Sequence, residues 1–153
     1  TKRGYNNKLI KLLRMKYLVI GLGNFGSTLA TTLTDMGHSV IGVDSNAHCI
    51  EEIKDRIDLA YIMDATERVS LRSLPLDEID YVIVAIGQSM DSSLRAVASL
   101  KELKVKNIIA RALDTTHSSI LRAMDIKKIL IPESYAARIF AEKILSNDPG
   151  ELL

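Results

Sequence analysis

Short apolar runs alternate with segments of helical periodicity along most of this chain. The apolar runs that suit buried strands are 18–20, 40–43, 59–63, 81–86, 108–110 and 129–131. The segments with helical spacing are 25–36, 46–56, 67–74, 91–103, 116–124 and 134–145. This alternation predicts an α/β fold, a Rossmann-type doubly wound parallel sheet of about six strands with helices on both faces.

Polar residues and one glycine mark the expected helix ends. Gly37 follows the first helix, where a C′ glycine is expected. Ser45, Thr66, Asp91 and Thr115 stand where N-caps are needed. We therefore expect the corresponding helices to begin directly after these four residues.

A glycine-rich turn joins the first predicted strand to the first helix. Gly21, Gly23 and Gly26 have the spacing GxGxxG, which allows a tight turn, close approach of a pyrophosphate and close helix packing. Asp44 ends the next strand, where a carboxylate accepts hydrogen bonds from ribose hydroxyls and its charge disfavours the 2′-phosphate of NADP. The combination predicts a site for NAD(H) or an adenosine nucleotide. A turn without a ligand and an Asp44 that only caps a helix are the alternatives.

The ends of the third and fourth strands add further candidates. Asp64-Ala65-Thr66 follows the third strand, where the adenine of a dinucleotide would lie. Thr66 is also a plausible N-cap, a role compatible with binding. Ala85-Ile86-Gly87 ends the fourth strand, and Gly87 either lets the backbone approach a ligand or simply ends the strand.

Three charged or titratable residues follow the last two strands. Arg111 ends the fifth strand at an otherwise apolar position, where it suits either phosphate oxygens or a structural ion pair. His117 lies one turn into the next helix, within reach of a phosphate or exposed at the helix start. Glu133 follows the sixth strand, where its carboxylate meets a ligand or a metal, or caps the last helix.

Catalytic patterns are missing from the sequence. His38 and His48 have no positioned carboxylate partner, and neither a Ser/His/Asp arrangement, a metal-ligand spacing nor a Walker loop is present. Cys49 is the single cysteine and is expected to be a small buried hydrophobic residue. These observations predict a module that binds a small molecule and is not an enzyme. No metal site is expected, and Glu133 is the one residue that could coordinate a metal.

Composition and charge fit one ordinary soluble domain. Of the 153 residues, 47% are hydrophobic and 25% are charged, and no apolar run approaches the length of a membrane span. The net charge is +1, yet residues 1–16 contain only basic charges. This leader is expected to be a tag remnant or solvated tail, or a contact for nucleic acid, anionic lipid or an acidic partner.

The motifs in their order resemble the RCK/KTN (TrkA-N) domains, which regulate potassium conductance. The motifs that carry the resemblance are Val19–Gly26, Val43-Asp44, Asp64-Ala65-Thr66, Tyr81–Gly87 and Met124–Glu133. The resemblance runs from about Tyr17 to the helix 134–145. It implies a nucleotide-binding domain over 17–146 and the start of a linker over 147–153, with the family's C-terminal lobe absent.

The resemblance also implies a function. Such a chain is a cytoplasmic gating subunit of a bacterial potassium transporter or channel, and it lies at the inner membrane through an integral-membrane subunit. It binds NAD(H), ATP, ADP or AMP but no nucleic acid, forms a homodimer and assembles into a ring such as an octamer. The cofactor-binding half of an NAD-dependent oxidoreductase is the alternative, and a redox-sensing transcriptional regulator is a further one.

The residues that would bind the nucleotide follow from the same resemblance. The resemblance implies that the phosphates are bound by Gly21, Gly23, Asn24, Phe25 and Gly26, and the ribose by Asp44, Ser45 and Asn46. It places Asp64 and Ala65 on either side of the adenine and Ile86, Gly87 and Gln88 along the wall of the site. Arg111 and His117 are expected to approach the phosphates. Glu133 is expected at a dimer contact, near a terminal phosphate or a cation. Asn24 replaces an arginine of ATP-responsive members, so strong selectivity for ATP over ADP is not expected.

The last predicted helix has an apolar face. Ala136, Ile139, Phe140 and Ile144 share one side of the segment 134–145. This face packs on the sheet of its own domain or, as in the family, crosses to a second subunit.

Overall fold

The structure, a computed structural model, describes residues 13–146 and consists of one parallel sheet covered by helices. The strands are β1 (Lys16–Ile20), β2 (Ser39–Asp44), β3 (Leu59–Ile62), β4 (Tyr81–Val84), β5 (Ile108–Arg111) and β6 (Lys128–Leu130). The helices are α1 (Asn24–Asp35), α2 (Ala47–Ile53), α3 (Arg68–Arg72), α4 (Met90–Glu102), α5 (Thr115–Ala123) and α6 (Pro132–Leu145), with a 3₁₀ turn at Leu76–Glu78. Most of the predicted leader and the predicted linker lie outside the described residues.

The strand order is β3-β2-β1-β4-β5-β6, and all neighbouring strands are parallel. The chain therefore winds outward from β1 in one direction through β2 and β3, and in the other through β4, β5 and β6. This confirms the predicted doubly wound fold of six strands. Ligands bind such sheets beyond the carboxyl ends of the strands, where the winding direction changes.

Consecutive residues are buried in the central strands of the sheet. Since neighbouring side chains of a strand point to opposite faces, both faces are covered there. In β1, Leu18 and Ile20 belong to one core layer and Val19 to the other, with 0%, 1% and 0% of their surfaces exposed. The apolar runs of the central strands thus belong to strands that are covered on both sides, whereas the apolar edge strand β3 is largely exposed.

The helix starts differ by one or two residues from the positions expected at Ser45, Asp91 and Thr115. The N-cap residues whose side chains accept a backbone N–H are Asn46, Ser89 and Asp114. Thr66 is not an N-cap, since α3 begins after Glu67. Several neighbouring residues at each start have suitable oxygens, so residue type alone did not select the cap. Gly37 has φ +93°, in keeping with its expected place after α1.

Helix α6 contributes no buried residue to the domain. Phe140 and Ile144 are 54% and 55% exposed, and Tyr135 at the same helix is 57% exposed. The alternative in which this helix packs on its own sheet is therefore wrong. Across residues 13–146, none of the helices has the length and apolar character needed to cross a membrane.

Candidate functional site

A cavity of about 410 Å³ lies along the carboxyl ends of the strands. It is lined by Ile20, Gly21, Gly23, Asn24, Val43, Asp44, Ser45, Asn46, Cys49, Met63, Asp64, Ala65, Thr66, Ala85, Ile86, Gly87, Gln88, Ser89, Ser92 and Arg111. Fourteen sequence-predicted residues are thus brought together at one edge of the sheet. Phe25, Gly26, His117 and Glu133 are the predicted residues that do not line the cavity.

The strand order arranges the charges of this edge in a line. Asp64 follows β3 and Asp44 ends β2, so the two carboxylates stand at one side of the glycine-rich loop that follows β1. Gly87 follows β4 and Arg111 ends β5 on the other side. A ligand that spans the cavity therefore meets acidic groups at one end, backbone in the middle and a guanidinium at the other end.

The glycines of the loop have different structural roles. Gly21 has φ +94°, a backbone conformation that side chains disfavour. A Cβ added to Gly26 would lie 1.8 Å from the carbonyl oxygen of Gly21, so only glycine allows α1 to pack this closely on the loop. A Cβ added to Gly23 would meet no atom within 4 Å. Gly23 thus leaves open space on the cavity side, where a phosphate could approach the backbone.

The start of α1 has backbone donors suited to an anion. Gly23 is the N-cap and makes no side-chain capping hydrogen bond to the first turn. The first N–H groups of a helix lack intrahelical acceptors, and the helix dipole favours negative charge there. A phosphate held against Gly23 and Asn24 would satisfy these donors.

Asp44 holds the glycine-rich loop to the end of β2. One carboxylate oxygen accepts the backbone N–H of Leu22 at 2.7 Å, and the other accepts the backbone N–H of Asn46 at 2.8 Å. A carboxylate oxygen has further lone pairs, so ribose hydroxyls can still bind there. Asp44 therefore holds the glycine-rich loop and the turn before α2, whereas the N-cap of that helix is Asn46.

Asp64 is kept ionised by Thr66. Its Oδ1 accepts hydrogen bonds from the Thr66 hydroxyl at 2.6 Å and from the Thr66 backbone N–H at 2.9 Å. These bonds, the hydroxyl's first, lower the pKa of Asp64. The end of the cavity next to β3 thus carries a second negative charge beside that of Asp44.

Arg111 lines the cavity and forms the ion pair that was one of its two suggested roles. Its side chain is only 15% exposed, lines the cavity, and donates from Nη2 to Glu133 Oε1 at 2.9 Å. The guanidinium lies over the Phe25 ring, 5.4 Å from its centroid, and its Nε is buried without a hydrogen-bond partner. Gly87 makes room for it, because a Cβ there would lie 2.8 Å from Arg111 Nη1.

The structure corrects the expectation for His117. Its side chain is fully buried between α4 and α5, where Nε2 lies 3.1 Å from Ser93 Oγ and Nδ1 accepts the backbone N–H of Leu113. Burial lowers the pKa of His117, so the imidazole is neutral. Neither a phosphate contact nor an exposed helix start describes this residue. The helical spacing to the buried Leu121 was the signal that the sequence analysis missed.

Six cavity residues were not among the predicted site residues, namely Ile20, Val43, Cys49, Met63, Ser89 and Ser92. Cys49 is partly exposed at the cavity rather than fully buried, and its surroundings raise its thiol pKa, chiefly by burial. Ser89 and Ser92 stand at the start of α4, directly after the fourth strand end. Proximity to predicted strand ends was the available signal for these residues. Within residues 13–146 no group of three or more potential metal ligands occurs.

Several curated relatives are proteins of potassium uptake systems. The chain is 32% identical over 136 residues to the Ktr system potassium uptake protein C of Bacillus subtilis, covering 89% of this chain and 62% of that protein. It is 35% identical over 123 residues to the Ktr system potassium uptake protein A of the same organism, covering 80% and 55%. A glycerol-3-phosphate dehydrogenase of Acholeplasma laidlawii is 33% identical over 94 residues, covering 60% and 28%. The chain spans about 60% of the length of the first two relatives.

Solved structures share the fold. The NAD(P)-binding domain of an exopolyphosphatase-related protein from Archaeoglobus fulgidus superposes with a TM-score of 0.75 at 26% identity, covering 87% of this chain and 99% of that one. The AMP-bound C-terminal domain of Kef from Shewanella denitrificans superposes with a TM-score of 0.67 at 18% identity, covering 90% and 84%. The TrkA-N domain family matches residues 17–132, which include the whole cavity and all six strands except for Lys16 at the start of β1. The chain belongs to the TrkA-N domain family.

Proposed function

We propose that this chain is the nucleotide-sensing part of a regulatory subunit of a potassium uptake system. The observation that carries the proposal is the cavity at the strand ends, where a glycine-rich loop lies between two carboxylates and an arginine. The potassium uptake proteins to which the chain is similar supply the physiological setting.

In the proposed complex an adenosine lies on the acidic side of the cavity. Asp44, with Ser45 and Asn46, binds the ribose, and the residues 64–66 flank the adenine. The phosphates lie against Gly23 and the first amides of α1, and the rest of the ligand lies along 85–88 toward Arg111. NAD(H), ATP, ADP and AMP share this adenosine 5′-phosphate, whereas the charge of Asp44 disfavours NADP.

We infer that the ligand is sensed and not consumed. The charged side chains that line the cavity are Asp44, Asp64 and Arg111, and no histidine of the described chain lines it. Asp44 and Asp64 accept backbone and hydroxyl hydrogen bonds, and Arg111 is paired. None of the three is arranged to exchange a proton with a substrate. A nucleotide then acts by its difference in affinity between two conformations of the assembly.

The assembly itself is part of the proposal. The exposed apolar residues of α6, among them Phe140 and Ile144, favour a homodimer in which this helix is covered by a second copy. A ring such as an octamer, docked on the cytoplasmic side of the inner membrane through an integral-membrane potassium transporter or channel, follows from the family. No role in nucleic-acid binding is proposed.

The cofactor-binding half of an NAD-dependent oxidoreductase is the second candidate. The similarity to a glycerol-3-phosphate dehydrogenase favours it, although that match covers only 28% of the enzyme. The shared part is the glycine-rich fold that both classes use for a dinucleotide. Hydride transfer from NADH to a substrate by the purified chain would favour this candidate.

The test is calorimetric titration of the wild-type chain with NAD, NADH, NADPH, ATP, ADP and AMP. The variant Asp44→Asn keeps the size of the side chain but removes its charge, and it places an amide group where a carboxylate accepts two N–H groups. A hydrogen bond to a charged group contributes roughly 1.5–3 kcal/mol, so binding of NADH should weaken by about ten- to hundredfold. The ratio of the affinity for NADH to the affinity for NADPH should also be smaller in Asp44→Asn than in the wild type.

Asp80→Asn is the matched control. Asp80 also accepts a backbone N–H of a strand, that of Lys16 at 2.8 Å, but at the amino end of the sheet. It should leave the affinity for NADH unchanged. Absence of binding of all six nucleotides to the wild-type chain would contradict the proposed site. An equal loss of NADH affinity in Asp44→Asn and Asp80→Asn would contradict it as well.

A further inference from the structure

The last strand end contributes a charge that does not line the cavity but reaches it through Arg111. Glu133 lies in the first turn of α6, and its Oε1 accepts the Nη2 of Arg111 at 2.9 Å. The guanidinium is 15% exposed while the carboxylate is 68% exposed, so the pair connects the cavity wall to the outer surface. Only one polar contact of this buried guanidinium is made within residues 13–146.

The pair changes the electrostatics of the phosphate end. Arg111 is the one cationic side chain that lines the cavity in the described part of the chain, against the carboxylates of Asp44 and Asp64. The carboxylate of Glu133, 2.9 Å away, offsets part of this charge. A guanidinium already paired at close range attracts a further anion weakly, because the approaching anion is repelled by the carboxylate nearby.

The position of Arg111 determines which part of a ligand is affected. Arg111 lies on Phe25, the residue after Asn24, and against Gly87. Asp44 and Asp64 lie on the other side of the glycine-rich loop. In the proposed complex, where the adenosine lies beside Asp44 and Asp64 and its 5′-phosphate at the loop, a second and a third phosphate would extend toward Arg111 and Glu133.

We propose that Glu133 is a specificity-determining residue, which through Arg111 sets the number of phosphate charges that the cavity accepts. This rests on the proposed nucleotide function and deepens it. With Glu133 ionised and paired, the cavity favours nucleotides with few charges at this end, a dinucleotide or a nucleoside monophosphate, over a nucleoside triphosphate. Glu133 is a positioning residue in this arrangement, since it acts on the ligand through Arg111.

The experiment measures the affinities of AMP, ADP and ATP, without divalent cations, for the wild-type chain and for Glu133→Gln. Removing the carboxylate charge leaves Arg111 free to bind phosphate, so the affinity for ATP should rise roughly five- to tenfold. The affinity for AMP should change less than about twofold, since its phosphate lies at the loop. The gain for ATP should shrink as the salt concentration rises.

Two further variants separate charge from folding. Glu142→Gln makes the same change farther along the same helix and should leave all three affinities unaltered. Arg111→Gln should lower the affinity for ATP more than that for AMP. In the double variant Glu133→Gln/Arg111→Gln the gain for ATP, measured relative to Arg111→Gln, should be smaller than the gain that Glu133→Gln gives in the wild type, because the guanidinium that the substitution would free is no longer present.

The outcomes distinguish this inference from the proposed function. If the relative affinities for AMP, ADP and ATP are the same in the wild type and in Glu133→Gln, the role of Glu133 is overturned, while the proposed nucleotide site is not affected. The same gain for AMP as for ATP would also overturn it, since that indicates a general structural change. Absence of nucleotide binding by the wild type would overturn both.

Discussion

Substitution of Gly26 by alanine tests the packing of the glycine-rich loop most sharply. Gly26 lies in the first turn of α1, and an added Cβ would lie 1.8 Å from the Gly21 carbonyl oxygen and 2.8 Å from its carbon. Real Cβ atoms essentially never come closer than 3.0 Å to other atoms, so the helix and the loop must separate by more than 1 Å. The obstacle is backbone, which a rotamer change cannot relieve.

The expected cost follows from what that movement strains. The Gly21 N–H is bonded to Val43 O at 2.9 Å, and the Leu22 N–H to Asp44 at 2.7 Å. Overpacking costs about 1–3 kcal/mol, and loss of one charge-assisted hydrogen bond about 1.5–3 kcal/mol. Alanine gains up to about 1 kcal/mol over glycine in helix propensity. We expect Gly26→Ala to lower the free energy of unfolding by about 3 kcal/mol.

Urea denaturation of the ligand-free protein, followed by circular dichroism, measures this change. Gly23→Ala is the matched control, because its Cβ meets no atom within 4 Å and its φ of −70° suits alanine. Its free energy of unfolding should fall by less than about 1 kcal/mol, the difference between glycine and alanine at an N-cap. Nucleotide binding should nevertheless weaken. A Gly26→Ala protein as stable as the wild type would refute the packing argument.

Three further substitutions test the site and its surroundings. Gly87→Ala places a Cβ 2.8 Å from the flexible end of Arg111, so stability should change by less than about 1 kcal/mol while titration shows weaker ATP binding. Burial lowers the pKa of His117 from 6.5, so the unfolded chain takes up a proton first as the pH falls. The free energy of unfolding from urea denaturation should therefore fall below pH 6.5, and it should fall less in His117→Gln than in the wild type. The same pH dependence of the free energy of unfolding in both proteins would contradict this. Thr66→Val removes the hydroxyl bond and keeps the backbone N–H bond, so an NMR titration should give a higher pKa for Asp64; an unchanged pKa would exclude the hydroxyl as the main cause.

The sequence was sufficient for the fold because each strand has a short apolar run, which in the central strands is buried on both faces. The runs 40–43 and 81–86 predicted the strands Ser39–Asp44 and Tyr81–Val84, and the glycine-rich loop marked the turn between the first strand and the first helix. The gathering of residues from five strand ends into one cavity then followed from the rule for parallel sheets. These inferences need only the periodicity of the chain and the handedness of crossovers.

Interactions across the sheet were beyond the reach of the sequence. The bond of Glu133 to Arg111 depends on how β5 and β6 are placed side by side, which no local pattern reveals. The prediction for His117 was wrong for a related reason, since its hydrogen bond with Ser93 depends on the packing of α5 against α4. A histidine at a helix start has the same local sequence whether it is exposed or buried.

The exposure of α6 has a consequence for the order in which the domain opens. An isolated helix of about 12–15 residues is marginally stable in water, and α6 has 14 residues and no buried side chain. Its backbone amides beyond the first turn should therefore exchange with deuterium by local opening, long before those of β1 and β4 at the centre of the sheet. Protection of these amides that increases with protein concentration would report directly on the surface that covers the helix.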